Sequence, residues 1–437
     1  MTNCISKTYK FLDLKNRKIE ASFSGGSITS DGGALLLREV ERKIKLLEKI
    51  ASVIPDNRMQ EKITHPIFEM LQARVFGIAH GYEDLNDHKT LRKDIAFQTA
   101  VNADSDLASS STLCRFENNA TPQMIFEAHK IIVDNFISSH KEVPKELILD
   151  FDATDDLVHG NQAGKFFHGY YKNYCFLPLY VFCGSDLLVA YLRSSNKDGA
   201  RHAWAILSLL VKRFREAWPK VKIIFRGDSG FCRHQMFDWC ERKNVDYITG
   251  IAGNNTLLQM LAPAMARAEK GFTKTKEKQR IFAKFNYASG SWSKERRVIG
   301  KAEHTAGGAN PRFIVTTLKG RPQRLYDKVY CARGDMENRI KEQQLGMFAD
   351  RTSCHEWWPN NFRLLLSSLA YIIVNYLRKH ALVGTELENA QVGTIRLKLF
   401  KIGAAIVKNT RRIIFHLSSH CPFQSIFEHA VQALSSA

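Results

Sequence analysis

The chain has 437 residues and a formal net charge of +19, from 63 Lys and Arg against 44 Asp and Glu. Hydrophobic residues make up 44% of the sequence and charged residues 24%, which excludes extensive disorder and predicts roughly two or three folded domains. The charge excess indicates a polyanionic partner: DNA, RNA or an anionic membrane face. Charge alone does not choose among these partners.

The sequence predicts a protein that stays in the cytoplasm and does not enter the membrane. The longest apolar run, residues 364–377, is too short to span a bilayer and is interrupted by polar side chains, so a buried core helix is expected. Residues 1–20 have no continuous apolar stretch behind their basic residues, which predicts no secretory signal. Scattered cysteines without a Cys-x-x-Cys pair favour reduced thiols over disulfides or zinc sites. The nine are Cys4, Cys114, Cys175, Cys183, Cys232, Cys240, Cys331, Cys354 and Cys421.

The N-terminal part has a helical pattern from residue 30 to about residue 139. Ser30 and Asp31 are expected to cap a helix through residues 34–54, in which Leu, Val and Ile recur every three or four positions. Ser109 is expected to cap a second, short helix on which Arg115 is exposed. That helix fits DNA contact or an ordinary bundle helix equally well.

At residue 146 the period changes to that of strands. Residues 147–152 form a short apolar strand that places Asp150 and Asp152 on one face. Apolar stretches at 170–183 and 187–192 flank a turn, which predicts a meander of three strands. A helix at 198–217, a buried strand at 221–225, a helix through Trp239 and a strand at 245–251 follow. The order β-β-β-α-β-α-β, with Asp228 just past the fourth strand, is that of the ribonuclease-H-like fold.

Residues 255–325 separate this core from its next helix and predict an inserted β-rich domain. Strands are expected at 280–287, 296–299 and 312–317. Between residues 270 and 301 ten Lys or Arg stand against two Glu, a local excess of 10 − 2 = +8. Interleaved aromatic residues favour a nucleic-acid surface, whereas charge alone fits a solvated loop equally well.

A polar stripe follows the insert at spacings of three and four residues, which places its members on one helix face: Tyr330, Arg333, Glu337, Lys341 and Gln344. Such a stripe fits either a surface for phosphate and metal or an exposed face with ion pairs. Its place in the fold favours the first. Asp152, Asp228 and Glu337 together offer the hard oxygen ligands that Mg²⁺ prefers, and two such ions assist phosphodiester chemistry.

Three strings carry a resemblance to a known family: LDFDATDD at residues 149–156, FRGDSGF at 225–231 and YCARGDMENRIKEQQ at 330–344. They resemble the catalytic motifs of bacterial insertion-sequence DDE transposases, most of all the insertion-sequence thirteen-eighty family, over nearly the whole chain. The last string matches Tyr-x2-Arg-x3-Glu-x6-Lys except that Gln344 replaces the lysine. Lys341, one turn away, can substitute for it.

The resemblance implies an enzyme that nicks DNA at terminal inverted repeats and joins the freed 3′-hydroxyl to target DNA. It implies a catalytic, metal-binding triad of Asp152, Asp228 and Glu337 with two Mg²⁺ or Mn²⁺ ions, and Asp150 remains a competitor for the first position. We expect a DNA-bound homodimer with no membrane attachment and association with the bacterial nucleoid. We also expect no nucleotide cofactor, because residues 160–165 only imitate a phosphate loop.

The resemblance also assigns regions and DNA contacts. Residues 1–140 are expected to form a mostly helical DNA-binding region, 145–254 with 326–385 a ribonuclease-H-like core, 255–325 the inserted β-rich domain, and 386–437 a basic helical region. DNA contacts are expected at Tyr330, Arg333, Lys341, Gln344, Arg226, His159, Trp292, Arg296 and Arg297. Two alternatives remain: a transposase that only binds DNA, and a ribonuclease-H-like nuclease without strand transfer.

Overall fold

The computed structural model describes residues 7–435, so Cys4 and the first six residues of the segment examined for a secretory signal lie outside it. The chain divides into two units, one from Met1–Asn119 with Leu369–Ala437 and the other from Ala120–Ser368. Within the described part of the chain, no helix combines the length and apolar character needed to cross a bilayer.

The N-terminal part of the first unit begins with strands and continues as helices. Its elements are β1 (Thr8–Leu14), β2 (Arg17–Ser22), β3 (Ile28–Thr29), α1 (Ala34–Ile44), α2 (Leu46–Ala51), α3 (Ile67–His80), α4 (His88–Leu91), α5 (Ile95–Ala100) and α6 (Ser110–Asn118). β1 and β2 pair as an antiparallel hairpin that is exposed throughout. Helices lie where the sequence predicts them, although the first is divided at Lys45, and the hairpin was not predicted.

Ser30 and Asp31 do not cap the first helix, so this prediction is wrong. α1 begins after Gly33 without a side-chain cap. The Asp31 carboxylate instead accepts a hydrogen bond from Lys401 Nζ at 2.7 Å. The expected helix also breaks at Lys45, whose φ of 50° is left-handed, and this break separates α1 from α2.

The short helix α6 is capped as predicted. Ser109 Oγ accepts a hydrogen bond from the Thr112 backbone N–H at 3.3 Å, which satisfies one of the unpaired N–H groups at the helix start. Arg115 is exposed on this helix. Contact between this helix and DNA stays a prediction.

The second unit is built around one large mixed sheet. Its elements are α7 (Pro122–Ser138), β4 (Glu146–Ala153), β5 (Asp156–Leu157), β6 (Phe166–His168), β7 (Asn173–Phe176), β8 (Leu179–Cys183), β9 (Asp186–Tyr191), α8 (Ala203–Ala217), β10 (Lys222–Gly227), α9 (His234–Arg242), β11 (Asp246–Ile251), α10 (Asn255–Thr275), β12 (Gln279–Tyr287), β13 (Arg296–Thr305), β14 (Gly308–Ala309), β15 (Arg312–Thr316), α11 (Pro322–Arg324), α12 (Gly334–Lys341) and α13 (Trp357–Ala381). α13 begins in this unit and ends in the first, because the division falls after Ser368. It contains the buried run 364–377, as predicted.

The sheet runs in the order β12-β13-β15-β11-β10-β4-β8-β9, with β14 paired to β13. β11, β10 and β4 are parallel neighbours, whereas β8 pairs antiparallel with β4 and with β9. The predicted order β-β-β-α-β-α-β is confirmed by β4, β8, β9, α8, β10, α9 and β11. β5, β6 and β7 form a separate three-stranded sheet that the prediction did not include. The fold is therefore mixed α/β.

The central strands are apolar on both faces, as expected of parallel strands covered on each side. On one face, Phe151 and Phe225 pack with ring centroids 5.1 Å apart within a large buried cluster. On the other face, Ile224 packs with Ile248 in a second cluster. Burial of each such side chain contributes about 1.5–3 kcal/mol, so the site-bearing strands are anchored on both faces by apolar packing.

Residues 255–325 do not form a separate β-rich domain, and this prediction needs correction. The segment opens with the 21-residue helix α10. Its strands lie close to the predicted positions, but β15 pairs with β11 and β13 pairs with β15, so the segment extends the main sheet. Ile299 and Ile314 share a buried cluster with Ile224 and Ile248, and this common core is the physical reason.

The predicted boundary at residue 140 also needs correction, because α7 belongs to the second unit. Val133 and Phe136 on α7 are buried in the same apolar cluster as Leu149 on β4. Their helical spacing of three residues gives no indication of which sheet they cover, so the sequence assigned α7 to the preceding helices.

The C-terminal part of the first unit is only partly helical. It contains α14 (Val392–Ile395), β16 (Ala404–Lys408), β17 (Ile413–Leu417) and α15 (Gln424–Ser435), and β16 pairs with both β17 and β3. Several of its cations bind the protein itself. Arg396 Nε donates to the Ala79 carbonyl at 2.7 Å, and Lys398 lies 2.9 Å from Glu386. The predicted basic helical region is therefore a mixed segment with fewer available charges.

Candidate active site

Two candidate carboxylates lie at the ends of adjacent parallel strands. Asp152 is on β4, and Asp228 follows β10 directly. Gly227 lies opposite Phe151 in the parallel register, so the next residues, Asp228 and Asp152, reach the same edge of the sheet. Both line a cavity of about 610 Å³. Open α/β sheets place their ligands at this carboxyl edge.

The third carboxylate, Glu337, lies on α12 and lines the same cavity. The expected continuous helix through residues 330–344 is interrupted: a π-helical turn (Leu325–Tyr330) and a 3₁₀ turn (Cys331–Arg333) precede α12, and a second π-helical turn (Glu342–Gly346) follows it. Four of the five residues of the predicted stripe line the cavity. They are Arg333, Glu337, Lys341 and Gln344.

Arg333 joins two of the three carboxylates. Its Nη1 lies 3.3 Å from Asp152 Oδ2, and its Nη2 lies 2.5 Å from Glu337 Oε1. The Arg333 side chain is 19% exposed, so solvent screens these ion pairs less than those on an open surface. The guanidinium therefore offsets part of the negative charge in the cavity.

The carboxylates also act on one another. Burial raises the pKa of Asp152 to about 7; Arg333 opposes this rise, and the charges of Asp228 and Glu337 add to it. The three side chains are therefore close enough to be electrostatically coupled, and a cation among them would favour the ionised form of Asp152.

Asp228 is held by the turn that follows it. Its Oδ1 accepts a hydrogen bond from the Gly230 backbone N–H at 2.8 Å. A Cβ at Gly227 would lie 3.0 Å from the Phe231 Cβ, so the turn packs too closely for a larger residue without displacement. The string FRGDSGF thus fixes the direction of the Asp228 carboxylate.

The donor set has the chemistry of a divalent-cation site, because carboxylate oxygens are the ligands that Mg²⁺ and Mn²⁺ prefer. Among residues 7–435, no group of three or more His, Cys, Asp or Glu side chains is arranged as a metal site. In the cavity, two of the three carboxylates pair with Arg333 instead. A cation in the cavity would compete with that arginine for one oxygen of each of these carboxylates.

The sequence model of one family, described as transposase DDE domain group 1, matches residues 11–437 of this chain. The chain belongs to this family. The predicted relationship to DDE transposases is thereby confirmed.

Two further comparisons concern curated proteins and solved structures. No curated protein is significantly similar to this chain in sequence. Among solved structures, it is similar to the piggyBac transposase in a cryo-EM synaptic complex with hairpin DNA, at 10% identity and a TM-score of 0.41. The match covers 84% of this chain and 79% of that chain. The family assignment rests on the sequence match alone.

In the DDE transposase, Asp152 lines the cavity and Asp150 does not. Asp150 is 2% exposed and accepts hydrogen bonds from the Nε and Nη2 atoms of Arg226. Arg226 also donates to the Val329 carbonyl at 2.5 Å and is 7% exposed. The expected DNA contact by Arg226 is corrected accordingly: its charge is used inside the protein.

Arg296 is buried and paired in this transposase, and Trp292 packs against it. Arg296 is 4% exposed and pairs with Asp238 at 2.6 Å and with Glu241 at 2.9 Å. Trp292 packs edge-to-face on Tyr287 with ring centroids 5.5 Å apart, and the Arg296 guanidinium lies 5.4 Å from its ring centroid. The charge of Arg296 is therefore paired inside the protein, which corrects its expected DNA contact. Trp292 is half-buried, and its contact with DNA stays a prediction.

Arg297 and His159 do not line the cavity. Arg297 donates to the carbonyl groups of Leu318, at 2.5 Å, and Gly320, at 2.7 Å, and so fastens the loop after β15. His159 is exposed after β5. Contact of His159 with DNA stays a prediction, whereas Arg297 has a structural role.

The remaining stripe residues have three different environments. Lys341 is exposed at the cavity, whereas Gln344 Nε2 donates to the Asp155 carbonyl at 2.9 Å. Tyr330 does not line the cavity, and a Cβ at Gly250 would lie 2.6 Å from its Oη. Glycine at position 250 thus gives Tyr330 room against β11. Lys341 is the stripe cation best placed for a phosphate.

Sequence reasoning missed several cavity residues: His168, Tyr170, Tyr171, Asp198 and Arg233. The aromatic run at residues 166–174 was the available signal for the first three. Asp198 and Arg233 form an ion pair of 2.6 Å across 35 residues of sequence, and no local pattern indicates it.

The basic segment 270–301 carries less free charge than its composition predicts. Glu303 binds Lys278 at 3.0 Å and Lys301 at 2.8 Å. Lys294 lies 3.0 Å from Glu241, and Arg280 pairs with Asp327. Partners outside the segment therefore neutralise part of the predicted excess.

Asp156, next to the site, is expected to make stability depend on pH. It is 2% exposed, and burial raises its pKa to about 7 from 3.8, while the Thr352 hydroxyl opposes the rise. Because the folded state holds this proton more tightly, the group's contribution to stability is present below pH 4 and is lost as the pH rises to 7. Asp156→Asn should remove a slope of about 1.4 kcal/mol per pH unit in this window, as measured by urea unfolding.

The difference in pH slope between wild type and Asp156→Asn separates the contribution of Asp156 from those of other groups that titrate in this range. Thr352→Val is a useful control, because it removes the hydrogen bond to Asp156 Oδ2 but leaves the carboxyl group. Equal pH slopes for wild type and Asp156→Asn would contradict this prediction.

Proposed function

We propose that this DDE transposase binds the terminal inverted repeats of an insertion sequence, cleaves the DNA at their ends and joins the 3′-hydroxyls to target DNA. We further infer a place in the insertion-sequence thirteen-eighty family from the three motif strings. The observation that carries the proposal is one cavity lined by Asp152, Asp228 and Glu337 together with Arg333 and Lys341.

The sheet supports a ribonuclease-H-like core. Five of its strands lie in the order β9-β8-β4-β10-β11, in which β4, β10 and β11 are parallel and β8 is antiparallel to β4. A meander of three strands followed by two helix-linked parallel strands is the order inferred from the sequence. This arrangement brings Asp152 and Asp228 to one edge.

In this proposal the carboxylates of Asp152, Asp228 and Glu337 would hold one or two divalent ions, Mg²⁺ or Mn²⁺. Bound there, such an ion would supply a Lewis acid for the scissile phosphate and lower the pKa of the attacking hydroxyl group. Water attacks phosphorus and the bond to O3′ breaks, which leaves a 3′-hydroxyl and a 5′-phosphate. The 3′-hydroxyl then attacks a target phosphodiester and displaces a second 3′-hydroxyl.

The chain's own residues orient the DNA in this scheme. Lys341 at the mouth of the cavity would bind a phosphate next to the scissile bond, and the aromatic side chains of Tyr170 and Tyr171 offer surfaces for unstacked bases. Because two ends must be joined to one target, we propose a homodimer in the DNA complex.

Lys341→Ala is expected to weaken binding of terminal-repeat DNA about five- to tenfold and to reduce the salt dependence by about one counterion, because one phosphate contact is lost. Fluorescence anisotropy over a range of salt concentrations measures both effects. Lys220→Ala is the matched control, since Lys220 is exposed before the opposite end of β10. Equal salt slopes for Lys341→Ala and wild type would contradict the phosphate contact.

A cleavage and joining assay tests the proposed function. A labelled duplex with the terminal repeat, and a scrambled duplex, are incubated with a plasmid target and Mg²⁺, Mn²⁺ or EDTA. We expect metal-dependent nicking at the repeat boundary and a joined product. Binding without cleavage would support the DNA-binding alternative, and equal cutting of both duplexes without joining would support a plain nuclease.

A further inference from the structure

Arg333 contacts two of the triad carboxylates through atoms that a cation would also use. Its Nη1 pairs with Asp152 Oδ2 at 3.3 Å, and its Nη2 pairs with Glu337 Oε1 at 2.5 Å. Both contacts come from one planar guanidinium, whose two donors face two different carboxylates. A divalent ion shared by Asp152 and Glu337 would compete with the guanidinium for these two carboxylates, because both cations are attracted to the same negative charge.

We propose that Arg333 is an internal counter-ion that pairs with Asp152 and Glu337 until DNA binds. When DNA binds, the Arg333 guanidinium pairs with a DNA phosphate and the metal ion binds the carboxylates instead. This proposal rests on the proposed function and adds a regulatory step at the same site. Arg333 is a positioning residue in this role, since it controls which cation the carboxylates bind.

Charge explains why the exchange is favourable only in the presence of DNA. Four carboxylates and three cations line the cavity, which leaves 4 − 3 = one uncompensated negative charge. Within it, Arg333 already reduces repulsion between Asp152 and Glu337. Divalent ions added beside the arginine would place like charges close together. A phosphate offers the displaced guanidinium a bidentate partner of opposite charge, so DNA lowers the free energy of the exchanged state.

The position of Arg333 suits such an exchange. It ends the 3₁₀ turn Cys331–Arg333, immediately before α12, so helical backbone on both sides fixes its Cα while its long side chain can adopt other rotamers. Arg333 and Lys341 line the same cavity. A phosphate bound by exposed Lys341 would therefore lie at the cavity that also contains the guanidinium.

The exchange makes DNA binding and metal binding cooperative, and the coupling must be reciprocal. DNA should raise the affinity of the wild-type protein for Mn²⁺ about five- to tenfold, which is at the lower end of typical coupling. In a variant without the Arg333 guanidinium, the carboxylates of Asp152 and Glu337 lack this ion pair even before DNA binds. Arg333→Gln should therefore bind Mn²⁺ more tightly than wild type when DNA is absent.

The test measures free Mn²⁺ by electron paramagnetic resonance during titration of the full chain, with and without terminal-repeat duplex. We expect Arg333→Gln to bind Mn²⁺ about five- to tenfold more tightly than wild type in the absence of DNA and to gain little when DNA is added. The Mn²⁺ affinity of Arg333→Lys without DNA should lie between those of wild type and Arg333→Gln, because one ammonium group cannot match both guanidinium contacts.

Arg233→Gln is the matched control. Arg233 lines the same cavity but pairs with Asp198 at 2.6 Å rather than with the triad. Arg233→Gln removes the same charge from the same cavity as Arg333→Gln. Its Mn²⁺ affinity should stay within about twofold of wild type, because the triad oxygens are not released. A gain as large as that of Arg333→Gln would overturn the proposal in favour of a general charge effect.

Asp152→Asn separates failure of this inference from failure of the proposed function. If wild type binds Mn²⁺ and Asp152→Asn does not, the metal site is supported, and an unchanged or weaker Mn²⁺ affinity for Arg333→Gln overturns only the exchange. If wild type binds no Mn²⁺ with DNA present, both the metal centre and the exchange are overturned. Near-ultraviolet circular dichroism confirms that each variant is folded.

Discussion

Asp228→Asn is expected to reduce metal-dependent nicking at the terminal repeat by about a thousandfold or more while DNA affinity changes little. An amide oxygen carries no full charge, so the variant loses several kcal/mol of electrostatic stabilisation at the scissile phosphate, and about 4 kcal/mol corresponds to a thousandfold. The asparagine can still accept the hydrogen bond from the Gly230 N–H, so the turn should keep its structure. Single-turnover cleavage of a labelled duplex measures the effect.

Asp198→Asn is the control for this prediction. Asp198 lines the same cavity, and the same substitution removes one charge there, but its carboxylate pairs with Arg233 and not with Arg333. Its cleavage rate should stay within about threefold of wild type. Similar losses for Asp198→Asn and Asp228→Asn would show that cavity charge, rather than a ligand position, explains the effect.

Arg226→Ala is expected to reduce the free energy of unfolding by about 3–5 kcal/mol, because it leaves Asp150 as a buried charge without its partner. Asp150 and Arg226 are 2% and 7% exposed, so the carboxylate loses its partner in a buried environment. The Val329 carbonyl also loses a donor. Urea unfolding followed by tryptophan fluorescence measures the change.

Arg213→Ala is the control for a surface pair. Arg213 lies 2.6 Å from Asp134, but their side chains are 41% and 49% exposed, so its loss should cost only about 0–1 kcal/mol. An unchanged unfolding free energy for Arg226→Ala, together with weaker DNA binding, would instead restore the DNA-contact role that the sequence indicated.

The catalytic strands could be predicted because their information is local. Period-two apolar residues before Asp152, and a buried strand before Asp228, define where each carboxylate must emerge. Parallel pairing of β4 and β10 then brings them to one edge. The assignment of Glu337 to the site depended on the motif resemblance, because a polar stripe on a helix does not by itself indicate which surface the stripe faces.

The wrong assignments have a common physical cause: the partners of buried cations are distant in sequence. Arg226 and Asp150 are 76 positions apart, and Arg296 and Glu241 are 55 positions apart. A count of local charges therefore overestimates the available positive surface. The same reason explains Asp31, whose carboxylate pairs with Lys401 across 370 positions instead of capping a helix.

The extended sheet shows a second limit of local patterns. The strands of residues 255–325 were predicted close to their observed positions, but strand period does not specify a pairing partner. Ile299 and Ile314 complete an apolar cluster with Ile248 on β11, and this packing decides the pairing. The π-helical turns before and after α12 were likewise not predicted, because the three- and four-residue spacing was interpreted as one continuous helix.

Anomalous diffraction from Mn²⁺, in crystals of the transposase with terminal-repeat DNA, tests the central claim most directly. The account predicts anomalous peaks bound by the carboxylate oxygens of Asp152, Asp228 and Glu337, with the Arg333 guanidinium against a DNA phosphate. Peaks confined to other residues, with Arg333 still paired to Asp152 and Glu337 in the DNA complex, would contradict it.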